Sequence, residues 1–359
     1  MPLKEPRFSP VFSLGHLFCF LIPILAIGTG CAGLRESYSV RNLTTGEQVS
    51  LKKQSRYPEQ IIAVDNQRIR IFAGTRDGRF EIRDVGYDGR VIMTIPVGRF
   101  STYYLRAYAW NMIGLAVSPD AKRIAYCDRP SRELRLFNIS DESHTVLRTN
   151  IPSNWAFSFL QWRSDDDLVV GFDDSESSDA ELFMMNTSTK SLVFELKPRG
   201  LMGDLVNLSH NKRYLACWNA DSSKSIYGDF HIYDLSVPRE LGSMHSSDKL
   251  FSRPYWTDTD EGLSYGELNK LMLYSLARKE VICLKSYADG MAVHVRGTGG
   301  TKVFYEVVPS AGKGGPKTLK GLYIFDLVSK TERRLEDVPL NWYLHVSPDG
   351  KFLIAGSGL

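Results

Sequence analysis

One short pattern recurs seven times along the sequence, at intervals of 41 to 54 residues. It has two apolar residues separated by one residue of any type, then Asp, Asn or Ser two positions further on, and usually an aliphatic residue after that. The copies begin at Tyr38, Phe80, Leu134, Leu182, Phe230, Leu271 and Leu322. This alternation has the two-residue period of a β-strand, and a polar turn and another β-prone run follow it. Each copy therefore predicts a β-hairpin, and the spacing predicts a repeat architecture.

A second pattern precedes most of these hairpins and predicts a tight turn. It is clearest as Ser-Pro-Asp-Ala-Lys at 118–122 and Ser-Pro-Asp-Gly-Lys at 347–351, each followed by an aliphatic run. Weaker versions occur near Asp65, Arg163 and Ser209. Proline presets the first turn dihedral, and Asp or Gly tolerates the dihedrals that follow. Most repeats therefore contain a second, inner hairpin.

The combination of these features carries a family resemblance. Ser-Pro-Asp-Gly-Lys turns, followed by an aliphatic strand, a loop and a Tyr-Asp-Leu-like hairpin, resemble the repeats of TolB-like and other WD-repeat-like bacterial β-propeller proteins. The resemblance covers residues 37–359. It implies an all-β fold in which blades of β-strands form a ring around a central channel.

The two ends of this region complete each other. It begins with an outer hairpin at 38–51 that lacks an inner partner, and it ends with an inner hairpin at 342–356 that lacks an outer one. Six complete blades and one composite blade give a seven-bladed β-propeller, closed by pairing N-terminal strands with C-terminal ones. The irregular repeats around Thr257 and Gly297 leave six or eight blades as the alternatives.

Composition and charge narrow the possible partners. A hydrophobic content of 43% and an aromatic content of 11% are sufficient for a sizeable β-sheet core. The net charge of +3 comes from 44 basic and 41 acidic residues that are scattered in small groups. Without a basic stripe, we do not expect a nucleic acid partner. Cys127 and Cys217 occupy equivalent positions in non-adjacent repeats, so we expect buried cysteines rather than disulfides.

The first thirty residues have the layout of a secretory leader. Lys4 and Arg7 precede an apolar stretch at 17–27 that is too short to span about 30 Å of hydrocarbon. Thr29-Gly30-Cys31 resembles the end of a bacterial lipobox, which implies lipidation of Cys31, although Gly28 replaces the expected branched aliphatic residue. An uncleaved anchor and ordinary cleavage are the alternatives. The predicted organisation is a signal peptide or membrane anchor at 1–30, a short tether at 31–36 and a single propeller domain at 37–359.

Aromatic and amide side chains recur where the chain enters the predicted innermost strands, close to the mouth of the channel. Such a rim can stack on a sugar, a peptide or an aromatic ring while its amides form hydrogen bonds. The alternative is that the tryptophans are wedged between blades as packing. The rim candidates are Trp110, Asn111, Asn154, Trp155, Arg253, Tyr255, Trp256, Asn341 and Trp342.

No local motif in the sequence predicts a reaction, a cofactor or a metal. The histidines have no metal-binding spacing, no Gly-x-Ser-x-Gly elbow occurs, and the glycine-rich segment around Lys313 lacks the order of a phosphate-binding loop. The catalytic residues are therefore unknown, and no cofactor and no metal are expected. Propellers assemble their sites from residues of distant blades, so the absence of a local motif does not exclude an enzyme.

Three functional hypotheses follow, of which the third is that the ring is a subunit of an envelope complex with a flat hydrophobic or charged face. The first is a membrane-anchored protein of the bacterial cell envelope, periplasmic or on the outer surface, whose propeller binds or scaffolds a protein, peptide or glycan. The alternative is a propeller enzyme of the hydrolase, lyase or cyclase type that acts on a saccharide or peptide at the channel mouth. A converging set of acidic, His or Arg side chains at that mouth would favour the enzyme.

Overall fold

The protein is a seven-bladed β-propeller. A computed structural model describes residues 37–51, 59–75, 79–98, 115–128, 131–152, 155–174, 180–196, 206–221, 226–237, 239–244, 254–259, 262–310, 314–336, 338 and 344–357. These residues form seven four-stranded antiparallel sheets, one for each blade. The predicted fold class and blade number are confirmed, and neither six nor eight blades is correct.

Blades 1 to 3 follow each other along the chain. Blade 1 consists of β3 (Glu59–Val64), β4 (Arg68–Gly74), β5 (Phe80–Gly86) and β6 (Val91–Gly98). Blade 2 consists of β7 (Leu115–Val117), β8 (Arg123–Asp128), β9 (Glu133–Asn138) and β10 (Ser143–Arg148). Blade 3 consists of β11 (Trp155–Trp162), β12 (Asp167–Asp174), β13 (Ala180–Asn186) and β14 (Ser191–Leu196).

Blades 4 to 6 repeat the same meander. Blade 4 consists of β15 (Asn207–Leu208), β16 (Tyr214–Asp221), β17 (Ile226–Asp234) and β18 (Arg239–Met244). Blade 5 consists of β19 (Tyr255–Trp256), β20 (Gly262–Glu267), β21 (Lys270–Ser275) and β22 (Glu280–Ser286). Blade 6 consists of β23 (Met291–Gly299), β24 (Lys302–Pro309), β25 (Gly321–Asp326) and β26 (Glu332–Leu335), with a 3-10 helix (Lys317–Leu319) before β25.

Blade 7 is the composite blade that the sequence predicts. Its inner strands are the last two of the chain, β27 (Leu344–Val346) and β28 (Phe352–Ser357), and its outer strands are the first two, β1 (Ser37–Asn42) and β2 (Gln48–Leu51). β1 pairs with β28 in an antiparallel register that runs from Ser37 opposite Ser357 to Asn42 opposite Phe352. Strands from both ends of the chain thus close the ring.

The hydrophobic core lies between blades rather than inside them. Seven clusters of buried residues are present among the described residues, and each joins two neighbouring blades. In the layer between blades 7 and 1, Val40 and Ile354 contact Ile69 and Ile71 of β4. The middle strands are buried on both faces because each contacts a blade on either side, which explains the near-continuous burial along β4 and β5.

The polar residue of the recurring pattern ends the third strand in blades 2 to 7, and in several of these blades it caps the turn that follows. In blade 1, β5 continues two residues beyond Asp84. The Asn42 side-chain oxygen accepts hydrogen bonds from the backbone N–H groups of Thr44 and Thr45, at 2.9 and 3.1 Å. Asp326 accepts from Val328 and Ser329 in the same way, both at 2.9 Å. Asp and Asn suit this position because their short side chains reach backbone N–H groups two and three residues ahead.

The serine of the Ser-Pro-Asp pattern is the buried centre of the turn between the first two strands of a blade. The Ser347 hydroxyl accepts from the backbone N–H of Phe352 at 2.9 Å and donates to Asp349 at 2.7 Å. Ser118 and Ser209 make the equivalent bonds in blades 2 and 4. These turns lie at one end of the ring, which we call the turn face.

Hydrogen bonds link every pair of neighbouring blades close to the turn face. They supplement the apolar layers with directional contacts, so the position of each turn depends on its neighbour. In order from the blade 7 to blade 1 interface, the donors and acceptors are Asp349 N to Asn66 Oδ1, Arg70 Nη1 to Pro119 O, Asp120 N to Asp165 Oδ1, Arg163 Nε to Lys212 O, Trp256 Nε1 to Asn207 O, Thr298 Oγ1 to Trp256 O and Gly300 N to Pro348 O.

Within the described part of the chain, no helix combines the length and the apolar character needed to cross a membrane. The leader at 1–30, the tether at 31–36 and Cys31 lie outside the described residues.

Candidate functional site

The innermost strands of the seven blades line the central channel, and two cavities lie along it. The large channel cavity, of about 660 Å³, is lined by β3, β7 and β11 together with Lys212. The small channel cavity, of about 200 Å³, is lined by the turn-face ends of β15, β19, β23 and β27.

One layer of equivalent residues explains why the channel is wide on one side and narrow on the other. In six blades the residue in question is the second to last residue of the innermost strand. In blade 6, whose innermost strand runs one residue further into the turn, it is Gly297, opposite Phe304. On the side of blades 1 to 3 the layer contains two alanines, which leave the large cavity open, whereas on the opposite side it contains the larger side chains of Asn207, Tyr255 and His345 beside Gly297. The layer residues are Ala63, Ala116, Gln161, Asn207, Tyr255, Gly297 and His345.

The walls of the large cavity are mainly aliphatic. They combine side chains from three blades, and the polar amide of Gln161 interrupts them. Gln161 is half-buried, and its side-chain amide makes no hydrogen bond to another described residue. An amide that offers two donors and an acceptor at an apolar wall is suited to a ligand that has both apolar and hydrogen-bonding groups. The aliphatic wall residues are Ile61, Ile62, Val64, Leu115, Val117 and Leu160.

Two arginines at the floor of the large cavity are already paired with carboxylates. Arg70 donates from Nε to Asp84 Oδ1 at 2.7 Å and from Nη2 to Asp84 Oδ2 at 3.0 Å. Arg68 donates to Asp84 at 2.5 Å and to Asp65 at 2.9 Å. Asp84 is 0% exposed and Arg70 is 7% exposed. The hydrogen bond to Asp84 raises the pKa of Arg70, since it favours the charged guanidinium.

Asp65 connects this floor to the turn face. Burial acts to raise the pKa of Asp65, but hydrogen bonds from the Gln67 backbone and from Arg68 outweigh it and hold the pKa below its ordinary value. Asp65 is therefore ionised at neutral pH. Because Asp65 and Asp84 together balance the two arginines, the floor carries little net charge.

The small cavity has a different chemistry. Tyr255, Trp256 and two histidines contribute aromatic surface, and Arg296 contributes a guanidinium. Burial lowers the pKa of His345 to about 4, so this imidazole is neutral at pH 7. The ring of His210 lies 3.2 Å from the Thr257 carbonyl oxygen. Arg296 is the cationic residue of this cavity.

The structure describes three of the nine predicted rim residues, namely Trp155, Tyr255 and Trp256. Trp110, Asn111, Asn154, Arg253, Asn341 and Trp342 lie outside the described residues. Trp155 begins β11, opposite Asp174, and nothing is described of its side chain. Tyr255 lines the small cavity. Trp256 lies beside the turn, is 1% exposed, and donates from its indole to the Asn207 carbonyl oxygen at 2.9 Å, which is a packing position between blades 4 and 5.

The sequence analysis missed several channel residues. Gln161 and His345 are single polar residues between apolar neighbours, Leu160 and Trp162 in one strand and Leu344 and Val346 in the other. A polar residue at this position of an innermost strand is a usable signal once the blades are aligned. Among the described residues, no group of three His, Cys, Asp or Glu side chains could hold a metal ion.

Comparisons with known proteins identify the fold and no family. No family model matches the sequence, and no curated protein matches it. An oligogalacturonate lyase from Vibrio parahaemolyticus matches with a TM-score of 0.51 and 10% identity, over 89% of this chain and 89% of that chain. A dipeptidyl peptidase 4 from Porphyromonas gingivalis matches with a TM-score of 0.50 and 11% identity, over 81% of this chain and 46% of that chain. At such identities the likeness shows the fold alone.

The contribution of the Asp84 ion pairs to the stability of the channel floor can be tested by mutation. We expect Asp84→Asn to lower the free energy of unfolding by about 3–5 kcal/mol, because buried Arg70 loses its counter-charge. The matched control is Asp326→Asn, at the same residue of the recurring sequence pattern in blade 6, where it ends β25 and an amide oxygen can still cap the turn. It should cost about 1 kcal/mol or less. Urea unfolding followed by tryptophan fluorescence measures both, and equal losses would contradict the assigned role of Asp84.

Proposed function

We propose that this protein is an exported, membrane-anchored propeller of the bacterial cell envelope, similar to TolB-like proteins, that binds a peptide segment of a protein partner in its channel. The observation that carries the proposal is the large channel cavity, where aliphatic walls from three blades surround the amide of Gln161, which makes no hydrogen bond to another described residue. Its volume of about 660 Å³ is in the range of ordinary ligand sites.

The chemistry of this cavity favours a peptide among the predicted partners. A peptide supplies apolar side chains for Ile62, Leu115 and Leu160, and backbone groups that can pair with the Gln161 amide. A glycan is usually held by exposed aromatic faces and many polar groups, whereas these walls are aliphatic. The paired arginines of the floor leave little charge to attract a strongly ionic ligand.

The leader supports the proposed location. Its basic start, its short apolar stretch and Cys31 together are typical of a lipoprotein signal. Cys31 lies six positions before Ser37, the first residue of β1. An extended chain spans at most about 3.5 Å per residue, so a lipidated Cys31 would hold the propeller close to the membrane surface. A partner in or near that membrane would be within reach of the ring.

A propeller enzyme that acts on a saccharide or peptide is the second candidate. It is favoured by the extent of the match to the lyase, which covers 89% of both chains. Turnover of oligogalacturonate or of peptides by the purified protein would support this candidate over a pure binding module.

Photo-crosslinking tests the proposed binding site. Ala63 is exposed and lines the large cavity. We expect a photoreactive benzoylphenylalanine at position 63 to capture a defined protein partner in intact cells, identified by mass spectrometry. Gln161→Leu should reduce the yield of the crosslinked product several-fold, because it removes the hydrogen-bonding group of the wall.

The control places the same photoreactive residue at Glu280, which is exposed on the outermost strand of blade 5. This position should not give the product. Absence of a product from position 63, or the same product from both positions, would contradict binding in the channel.

The proposed anchoring has its own test. We expect a palmitate analogue to label the wild-type protein, and we expect the protein to fractionate with membranes. In Cys31→Ser both the label and membrane retention should be lost, because the acylated cysteine is the anchor. Cys283→Ser is the matched control, since Cys283 is an exposed cysteine of the propeller. Membrane retention of Cys31→Ser with residues 1–30 still attached would show an uncleaved anchor instead.

A further inference from the structure

Arg296 lies at a β-bulge in the innermost strand of blade 6. Val295 is paired with Tyr305 and Gly297 with Phe304, so Arg296 is the extra residue of a β-bulge. Bulges redirect a side chain relative to the regular alternation of the strand. Gly297, the layer residue of this blade, has no side chain, and a Cβ there would lie 3.1 Å from Val346 Cγ2. Arg296 therefore lines the small cavity next to Gly297, the layer residue of blade 6, which has no side chain.

The guanidinium of Arg296 is held from one side only. Its Nη2 donates to Glu306 Oε2 at 2.6 Å, and Glu306 is 4% exposed. Arg296 Nε is buried and has no hydrogen-bond partner among the described residues. A guanidinium has five N–H donors, and Glu306 uses one of them through a single contact. The side chain is anchored and still has hydrogen-bonding capacity.

The remaining lining of the small cavity is compatible with an anion. It contains no acidic side chain among the described residues. The two histidines, His210 and His345, lie in the same cavity, and burial keeps His345 neutral at pH 7. Glu306 lies behind Arg296 and is not part of the lining. A ligand carboxylate that enters the cavity thus meets the Arg296 guanidinium, which Glu306 holds from behind, and no acidic side chain of the lining repels it.

The size and the aromatic character of the lining limit the ligand further. Tyr255, Leu344 and Val346 line the cavity, whereas Trp256 is 1% exposed and backs it as a packing residue. A cavity of about 200 Å³ suits a compact ring rather than an extended chain. Flat rings bind favourably against aromatic side chains and exclude water from the charged end.

We propose that the small channel cavity is a binding site for a small aromatic carboxylate, with Arg296 as the residue that recognises the carboxylate group. Guanidinium and carboxylate form paired, charge-assisted hydrogen bonds, which are stronger than bonds between neutral groups. This site is separate from the large cavity, so it does not depend on the proposed peptide partner.

The test uses 4-fluorobenzoate as the probe and the full-length protein, with binding followed by fluorine NMR. We expect 4-fluorobenzoate to bind at least about tenfold more tightly than its neutral analogue 4-fluorobenzamide, because the amide cannot form the charged pair. Gln161→Leu, in the large cavity, should leave this affinity unchanged.

The variants avoid a buried unpaired charge. Removal of Arg296 alone would leave Glu306 without a counter-charge, so the main variant is Arg296→Gln combined with Glu306→Gln, which keeps the shape of the pair. Its affinity for 4-fluorobenzoate should fall at least about tenfold. The control is Arg278→Gln, an exposed arginine paired with Glu280, and its affinity should not change.

Three results would overturn the proposal. The first is no binding of 4-fluorobenzoate to the wild-type protein. The second is equal binding of the acid and the amide. The third is unchanged binding by the Arg296→Gln and Glu306→Gln variant. Circular dichroism and the thermal unfolding midpoint test whether this variant is folded. If it is not folded, Arg296→Lys with an intact Glu306 provides the same comparison. We expect this variant to lose affinity because lysine cannot form the paired contact.

Discussion

The pairing of β1 with β28 is the contact on which the rest of the ring depends. It joins strands from opposite ends of the chain over six residue pairs and completes blade 7. The same strand supplies Val40 to the apolar layer between blades 7 and 1, where it contacts Ile69 and Ile71. Without β1, this layer would lose part of its apolar surface and blade 7 would expose an unpaired strand edge. The other six layers join blades that are neighbours in sequence.

The channel is a consequence of this closure. Its walls come from seven strands that belong to segments far apart in the chain, so the channel is complete only when the ring is closed. The hydrogen bonds between neighbouring turns then fix the heights of the strands relative to each other. Within this frame, local side-chain size sets the width. Ala63 and Ala116 leave space for the large cavity, whereas Tyr255 and His345 narrow the opposite side. One architecture thereby provides two cavities of different chemistry.

The fold could be predicted because its signals are local and repeated. The Asp or Asn of most hairpins and the serine of the turns in blades 2, 4 and 7 act within a few residues of their own position, so they can be recognised in a single copy. The site was harder to predict. Asp84 and Asp326 occupy the same place in almost identical patterns, yet Asp84 binds two arginines and Asp326 caps a turn. The difference comes from their places in the strands: Asp84 lies two residues before the end of β5, opposite Arg70, whereas Asp326 ends β25, opposite Lys302. Arg296 escaped prediction because a bulge shifts the alternation by one residue.

The most direct test of this account is a disulfide across the closure. Ser39 and Ala355 are direct partners in the β1–β28 register. In a Cys283→Ser background, Ser39→Cys with Ala355→Cys should form a disulfide on oxidation and stabilise the protein by about 2–4 kcal/mol. Arg41→Cys with Ala355→Cys, two positions out of register, should not form one, because its Cα atoms lie beyond bridging distance. If the in-register pair stays reduced, or if both pairs are oxidised equally, strands from the two ends of the chain do not close the ring as described.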